Sequence, residues 1–219
     1  MEKVVIACSD RFALDVLMII ELNNDRKLSY AQQYEVAGYI TSTDDPLLEK
    51  YTDIVWLGTI QEYSNTEIPV IVAIPDPQTK RMCVEQLKSK GCSFANLRAF
   101  WVLAPLDYPV GEGTILAAQT VKGEAVIGEF VILFNAMVGT AIIGSYSTIL
   151  SYANVTSSQI ESGAFVGDNA LVLEKIAVGS NARIMPGSTV VKRVRENAVV
   201  AGVPAVQIKN EKDSCRRKT

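Results

Sequence analysis

In the second half of this chain, aliphatic residues recur every six positions. Met137, Ile143, Ile149 and Val155 are in phase, and after one step of five so are Ile160, Val166, Val172, Val178, Ile184 and Val190. Two residues before each lies a small side chain: Ala141, Ser147, Ala153, Ser158, Ala164, Ala170, Ala182 and Ser188, with Ile176 as the exception. Six residues make one short strand and one turn, and three such units close a triangular coil. The aliphatic residue points into the prism and the small one fits beside the corner. Gly128, Gly144, Gly167 and Gly179 follow the aliphatic position, and are read as turns needing positive φ. The period therefore predicts a parallel β-helix. A β-sandwich fits less well, because its strands alternate with period two and turn every 8–12 residues.

The first hundred residues have another rhythm. Lys3–Cys8 is a short apolar run, read as a buried strand. Phe12–Leu22 has helical apolar spacing, and Tyr34–Ile40 and Pro69–Ile74 are further strand candidates. A helix over Gln78–Lys90 ends at Gly91, and Phe94–Leu97 is a short last strand. Strand–helix alternation predicts a small Rossmann-like parallel sheet. The expected fold is thus an α/β domain over 1–100, an all-β helix over 101–209, and a solvated basic tail over 210–219.

Composition narrows the chemistry. The chain has 219 residues, with 21 Lys and Arg against 24 Asp and Glu, a net charge of −3. A weakly acidic chain is a poor general binder of nucleic acid. It contains no histidine, which excludes His-based catalytic dyads and His-ligated zinc. Cys8, Cys83, Cys92 and Cys215 are scattered, with no CxxC pair, so no metal or redox motif is expected. The N-terminal MEKVVIA carries no apolar leader and no run reaches the length of a membrane span. The expectation is a cytoplasmic protein.

Together the two halves resemble the sialic-acid and bacillosamine branch of the hexapeptide-repeat acyltransferases. The resemblance spans roughly residues 3–209. It rests on KVVIACSDRFALDV, VAGYITSTDDP, IVAIPDPQTKRMCVEQLKSKGCSFANL, VGEGTIL, the repeats themselves and the closing VVAGVPAVQIK. It implies a left-handed β-helix and a homotrimer. It also implies acetyl-CoA as co-substrate between adjacent β-helices, and a sugar or nucleotide sugar held by the N-terminal domain.

The resemblance also assigns positions. The family's catalytic histidine falls on Gly139 or Thr140, depending on the side from which the coil is counted, since the stretch is one residue short. Ser157 takes the place whose backbone N–H holds the acyl carbonyl. Lys192 and Arg193, with Arg195 beside them, are candidates for the CoA phosphates, and the Gly202–Pro204 loop borders that site. The glycine-rich phosphate loop is replaced by Ser9, Asp10 and Arg11. The acidic pair that reads the base is replaced by Thr41 and Ser42, and a further histidine by Ala99. Glu124 and Glu161 are alternative bases, or else solvated corners, as are Asn135, Tyr146 and Tyr152.

Architectural positions are kept while several functional ones are changed. The implied activity is acyl-CoA-dependent transfer to an amino or hydroxyl group of a sugar in surface-glycan synthesis. The rival reading is a catalytically inactive trimeric homologue that serves as a scaffold, binding or regulatory subunit.

Overall fold

The computed structural model describes residues 1–26, 32–105 and 107–210. The basic tail and Cys215 lie outside the described residues, apart from Asn210. The chain divides into two compact units, Met1–Phe100 with Glu112–Ile115, and Trp101–Gly111 with the chain from Leu116 onward.

The first unit is a four-stranded parallel sheet with two helices. The elements are β1 (Glu2–Cys8), α1 (Phe12–Arg26), β2 (Tyr34–Thr41), β3 (Trp56–Thr59), β4 (Val70–Ala73), α2 (Pro77–Ser89) and β5 (Leu97–Arg98). The sheet order is β3-β2-β1-β4, so connections leave β1 in opposite directions. The central strand is buried from Val4 to Cys8 and β4 throughout, as both-face coverage of a parallel sheet requires. β3 is absent from the sequence reading, because WLGT is short and interrupted by Gly58 at φ 97.

Local chemistry fixes the helix ends. Asp76 caps α2, accepting from Thr79 N at 3.0 Å and Thr79 Oγ1 at 2.9 Å, with Pro77 in the first turn. Gly91 follows the helix at φ 83. The Lys90 ammonium donates to the carbonyls of Ile60, Gln61 and Tyr63, pinning the loop after β3. Buried Asn23 donates to Gln32 O at 2.9 Å and Arg98 O at 2.8 Å, and accepts from Phe100 N at 3.0 Å.

The second unit is a three-faced parallel coil. One face stacks Val121, Val138, Val155, Val172 and Val190. The second stacks Ile127, Ile143, Ile160 and Val178, closed by a bridge to Val194. The third stacks Leu133, Ile149, Val166, Ile184 and Val200. All these side chains are buried. The strands Ala198–Gly202 and Ala205–Asn210 form an antiparallel hairpin at the end.

Two readings of the repeat need correction. Met137 points outward and is 38% exposed, while Val138 is 1% exposed and occupies the core. Steps of five before and after Val138 absorb the missing residue, which settles the register of 133–140. The repeat also reaches back to Val121. Secondly, Gly128, Gly144, Gly167 and Gly179 are not among the positive-φ residues. They allow close approach between coils instead. A Cβ on Gly144 would lie 2.5 Å from Ser162 N, and one on Gly179 2.5 Å from Glu196 N. Positive φ falls three residues before the inward aliphatic: Phe130, Asn135, Thr140, Tyr146, Tyr152, Ser157, Asn169, Lys175, Asn181 and Asn197.

Candidate functional site

The corner between the first and second faces is the one with unusual chemistry. Down this edge, coil by coil, stand Thr140 at φ 45, Ser157 at φ 50 and Lys175 at φ 63. Lys192 and Arg193 follow, between the stacked Val190 and the bridged Val194. The ladder is continuous. Ser157 N donates to Gly139 O at 2.7 Å, and Lys175 N to Ser157 O at 2.8 Å. At about 4.8 Å per coil, Thr140 and Arg193 are roughly 14 Å apart along the edge. Four positions nominated from sequence, Thr140, Ser157, Lys192 and Arg193, therefore share one edge.

Thr140, Ile142, Ser157, Ser158, Gln159, Lys175, Ile176 and Ala177 line a groove of about 300 Å³ on this edge. Two of its three turns are short, the Lys175 turn keeping the step of six from Val172 to Val178. Five residues separate Val138 from Ile143 and Val155 from Ile160. At the other two corners the small residue closes a turn on most coils, as Ala153 N does to Leu150 O at 3.1 Å and Ala182 N to Gly179 O at 3.1 Å, with Ala136 an exception. Among the described residues, Ser158 N makes no such bond, although Ser158 is 6% exposed. A buried N–H without an acceptor costs stability unless a ligand or water meets it. The N–H of Ser157 is spent on Gly139, and the N–H beside it, on Ser158, makes no backbone hydrogen bond among the described residues, as is also the case for Ala141 and Ile176 at the same place on the neighbouring coils.

No carboxylate lines this groove. Gly139 sits in a strand against Lys122 and Thr156 and has no side chain to offer. Glu161 belongs to another edge, where its carboxylate accepts from Ser180 N at 3.0 Å and Ser180 Oγ at 2.8 Å. Tyr146 lies on that same corner, and Asn135 and Tyr152 on the third.

Further along, Lys192, Arg193 and Pro204 line a second cavity of about 450 Å³ with Val191, Arg195 and Gln207. Lys192 and Arg193 are both exposed. Gly202 does not line the cavity; its N–H donates to Ser188 Oγ at 3.2 Å.

In the first unit, Ser9, Asp10 and Arg11 line a separate cavity of about 460 Å³ with Thr43, Asp45, Glu49, Lys50 and Tyr51. Asp10 Oδ1 accepts from Phe12 N at 2.9 Å, so the chain's own carboxylate fills the helix N-terminus that would otherwise attract an anion. The Arg11 guanidinium lies over the Tyr51 ring, 4.9 Å from its centroid. Burial first, then the Asp10 charge, raises the Asp15 carboxyl and pushes the Cys8 thiol up to about 12. Thr41 and Ser42 do not line this cavity. Thr41 is fully buried, donating to Thr43 O at 2.7 Å and accepting from Trp56 Nε1 at 3.0 Å. Its hydroxyl is committed to the fold. Ala99 is also buried.

Lys175 and Ser158 were not singled out from sequence as functional. A signal for Lys175 existed: a lysine stands at a left-handed corner where glycine or asparagine is the usual choice. Ser158 carries none, since its contribution is a backbone N–H.

Among the described residues, no group of three or more His, Cys, Asp or Glu could hold a metal. Among the described residues, no helix is long and apolar enough to cross a membrane.

Comparison with known proteins adds three findings. No family model matches the chain. It is 45% identical over 60 residues, 27% of its length, to a 2,3,4,5-tetrahydropyridine-2,6-dicarboxylate N-acetyltransferase of Enterococcus faecalis. It is 35% identical over 71 residues to the enzyme of that name from Clostridium perfringens. These matches span only 26% and 30% of those relatives. Solved structures cover nearly the whole chain. WeeI from Acinetobacter baumannii aligns with TM-score 0.69 at 18% identity, over 94% of this chain and 100% of that one. PerB from Caulobacter crescentus, in complex with CoA and GDP-perosamine, aligns with TM-score 0.67 at 17% identity, over 95% and 98%. The acetyltransferase domain of PglB from Neisseria gonorrhoeae, in complex with acetyl coenzyme A, aligns with TM-score 0.65 at 16% identity, over 94% and 99%. The shared architecture is a parallel α/β sheet followed by a β-helix, and the helix is left-handed.

Proposed function

We propose that this chain, which has the fold of the hexapeptide-repeat left-handed β-helix acetyltransferases, moves an acyl group from acyl-CoA to an amino or hydroxyl group of a sugar. The observation that carries the reading is the single edge bearing Thr140, Ser157, Ser158, Lys175, Lys192 and Arg193. Lys192 and Arg193 suit phosphate groups, which guanidinium and ammonium bind by charge-assisted hydrogen bonds. The unused Ser158 N–H suits a thioester carbonyl, whose oxygen gains negative charge during transfer. Thr140 positions the attacking group. The co-substrate supplies the activated acyl group, and the chain supplies orientation and electrostatics.

In this reading Ser9, Asp10 and Arg11 contact the acceptor, and the acceptor belongs to surface-glycan synthesis in the cytoplasm. The working form is a homotrimer. The complexes of PerB with CoA and GDP-perosamine and of PglB with acetyl coenzyme A support this assignment of ligand classes.

A second reading rests on specific features, the absence of any histidine and the carboxylate of Asp10 at the α1 N-terminus. It makes the chain a non-catalytic homologue that keeps the scaffold as a binding or regulatory subunit. Titration calorimetry with acetyl-CoA separates the two. Saturable micromolar binding at about one site per chain supports the transferase. No binding at millimolar ligand rejects it and leaves the scaffold reading.

A further inference from the structure

In an open parallel sheet, ligands settle beyond the carboxyl ends of the strands, where connections leave a central strand in opposite directions. Here that strand is β1, and the residues that follow it, Ser9, Asp10 and Arg11, line the cavity of about 460 Å³. A phosphate bound at such a place is met by the N–H groups of a helix N-terminus. In this chain an aspartate of its own occupies each helix start. Asp10 Oδ1 accepts from Phe12 N at 2.9 Å at the start of α1, and Asp76 Oδ1 accepts from Thr79 N at 3.0 Å at the start of α2. Asp15 adds a further carboxylate to the first turn of α1.

The cavity lining has the same bias. It carries Asp10, Asp45 and Glu49 against Arg11 and Lys50, three carboxylates to two cations. The Arg11 guanidinium is drawn over the Tyr51 ring. An entering phosphate thus meets a carboxylate at the spot the helix dipole favours, with no surplus of positive charge to offset it. Neighbouring groups feel that carboxylate: after burial, the Asp10 charge is the second cause that raises the Cys8 thiol and the Asp15 carboxyl.

Resting on the proposed acyl transfer to a sugar, we infer that this cavity takes a sugar that carries no phosphate. Any step that attaches phosphate or a nucleotide then consumes the acylated product and does not supply the acceptor. GDP-perosamine, the ligand in the PerB complex, belongs to the excluded class. Sugar hydroxyls donate to carboxylates and accept from guanidinium and ammonium groups. Asp10, Asp45 and Glu49 are obstacles to a diphosphate but acceptors for a ring bearing hydroxyls, and Arg11 and Lys50 supply the donors.

Titration calorimetry of the full-length protein with GDP, UDP and inorganic pyrophosphate tests this. Amide exchange over residues 9–13 locates the binding, so that phosphate held at Lys192 and Arg193 is told apart. The wild type shows no saturable binding at residues 9–13 with millimolar ligand. Asp10→Gly removes the charge and opens the α1 N-terminus, and affinity there rises by about tenfold or more. Asp10→Asn keeps a capping side chain without the charge, so its Tm is unchanged and it gains part of that affinity. Micromolar binding of GDP or UDP to the wild type with protection of residues 9–13 overturns the inference. So does an Asp10→Asn variant of unchanged Tm that gains nothing. A second arm follows thiol release from acetyl-CoA with sugars offered free and as their nucleoside diphosphate conjugates. The free sugar is the faster substrate in each pair that reacts, and a faster conjugate overturns the inference. Failure to bind acetyl-CoA at all defeats the transferase reading instead, and the nucleotide titrations still decide this one.

Discussion

The backbone N–H of Ser157 donates to the carbonyl of Gly139 across adjacent coils at 2.7 Å. That bond occupies the Ser157 N–H, while the Ser158 N–H beside it, like those of Ala141 and Ile176 on the neighbouring coils, makes no backbone hydrogen bond among the described residues. Replacing either side chain therefore leaves the backbone donors in place. Ser157→Ala is expected to hold acetyl-CoA affinity within about twofold, since Ser157 is only half-buried and its backbone donor is unchanged. Isothermal titration checks this, and a loss of tenfold or more would show that the side chain, not the backbone, makes the contact.

Thr140 is a β-branched residue at φ 45, a conformation that such residues rarely adopt. It stores strain at the candidate site. Thr140→Gly is expected to raise stability by about 0.5–1 kcal/mol while lowering acyl transfer. Urea unfolding and an acylation assay, run in parallel, read the two effects. A variant that is both less stable and fully active would remove Thr140 from the account.

The glycines divide into two classes with different costs. Gly144→Ala forces a Cβ to 2.5 Å from Ser162 N and 2.8 Å from the Glu161 carbonyl carbon, backbone atoms of the next coil. A loss of about 3 kcal/mol is expected, as for other overpacked sites. Gly187, at φ 69 with nothing within 4 Å of an added Cβ, is expected to cost only about 1 kcal/mol when changed to Ala. Chemical denaturation of the two variants ranks them.

Cys8 couples stability to alkaline pH. Burial, with the Asp10 charge adding to it, pushes its thiol up to about 12 from an ordinary 9.0. The unfolded chain then loses its proton first. The contribution is full below pH 9 and disappears as pH rises through 12. Cys8→Ala should flatten the decline of Tm between pH 8.5 and about 10.5 relative to wild type. In the native state Cys8 should also resist alkylation at pH 8.

The β-helix was legible because one spacing governs every coil: an inward Ile143 implies an inward Ile149 and Ile160. Its phase failed at Met137, where two short steps hide beside an aliphatic neighbour, and only coil-to-coil pairing shows Val138 facing in. The glycine error had the same root. Close approach of Gly144 to Ser162 is a relation between coils, and a linear pattern cannot distinguish it from a turn. The resemblance placed Thr140, Lys192 and Arg193 on what is one edge. It could not reveal that Thr41 spends its hydroxyl on Trp56, or that Lys175 enters the groove, because those facts arise from packing.

The most direct test of the account is amide hydrogen exchange with and without saturating acetyl-CoA. The account predicts slowed exchange concentrated in residues 139–142, 156–159, 173–177 and 191–194, the four successive coils of one edge. Unchanged exchange in those segments, or protection confined to residues 9–11 and 43–51, would contradict the claim that this edge is where the chain meets its acyl donor.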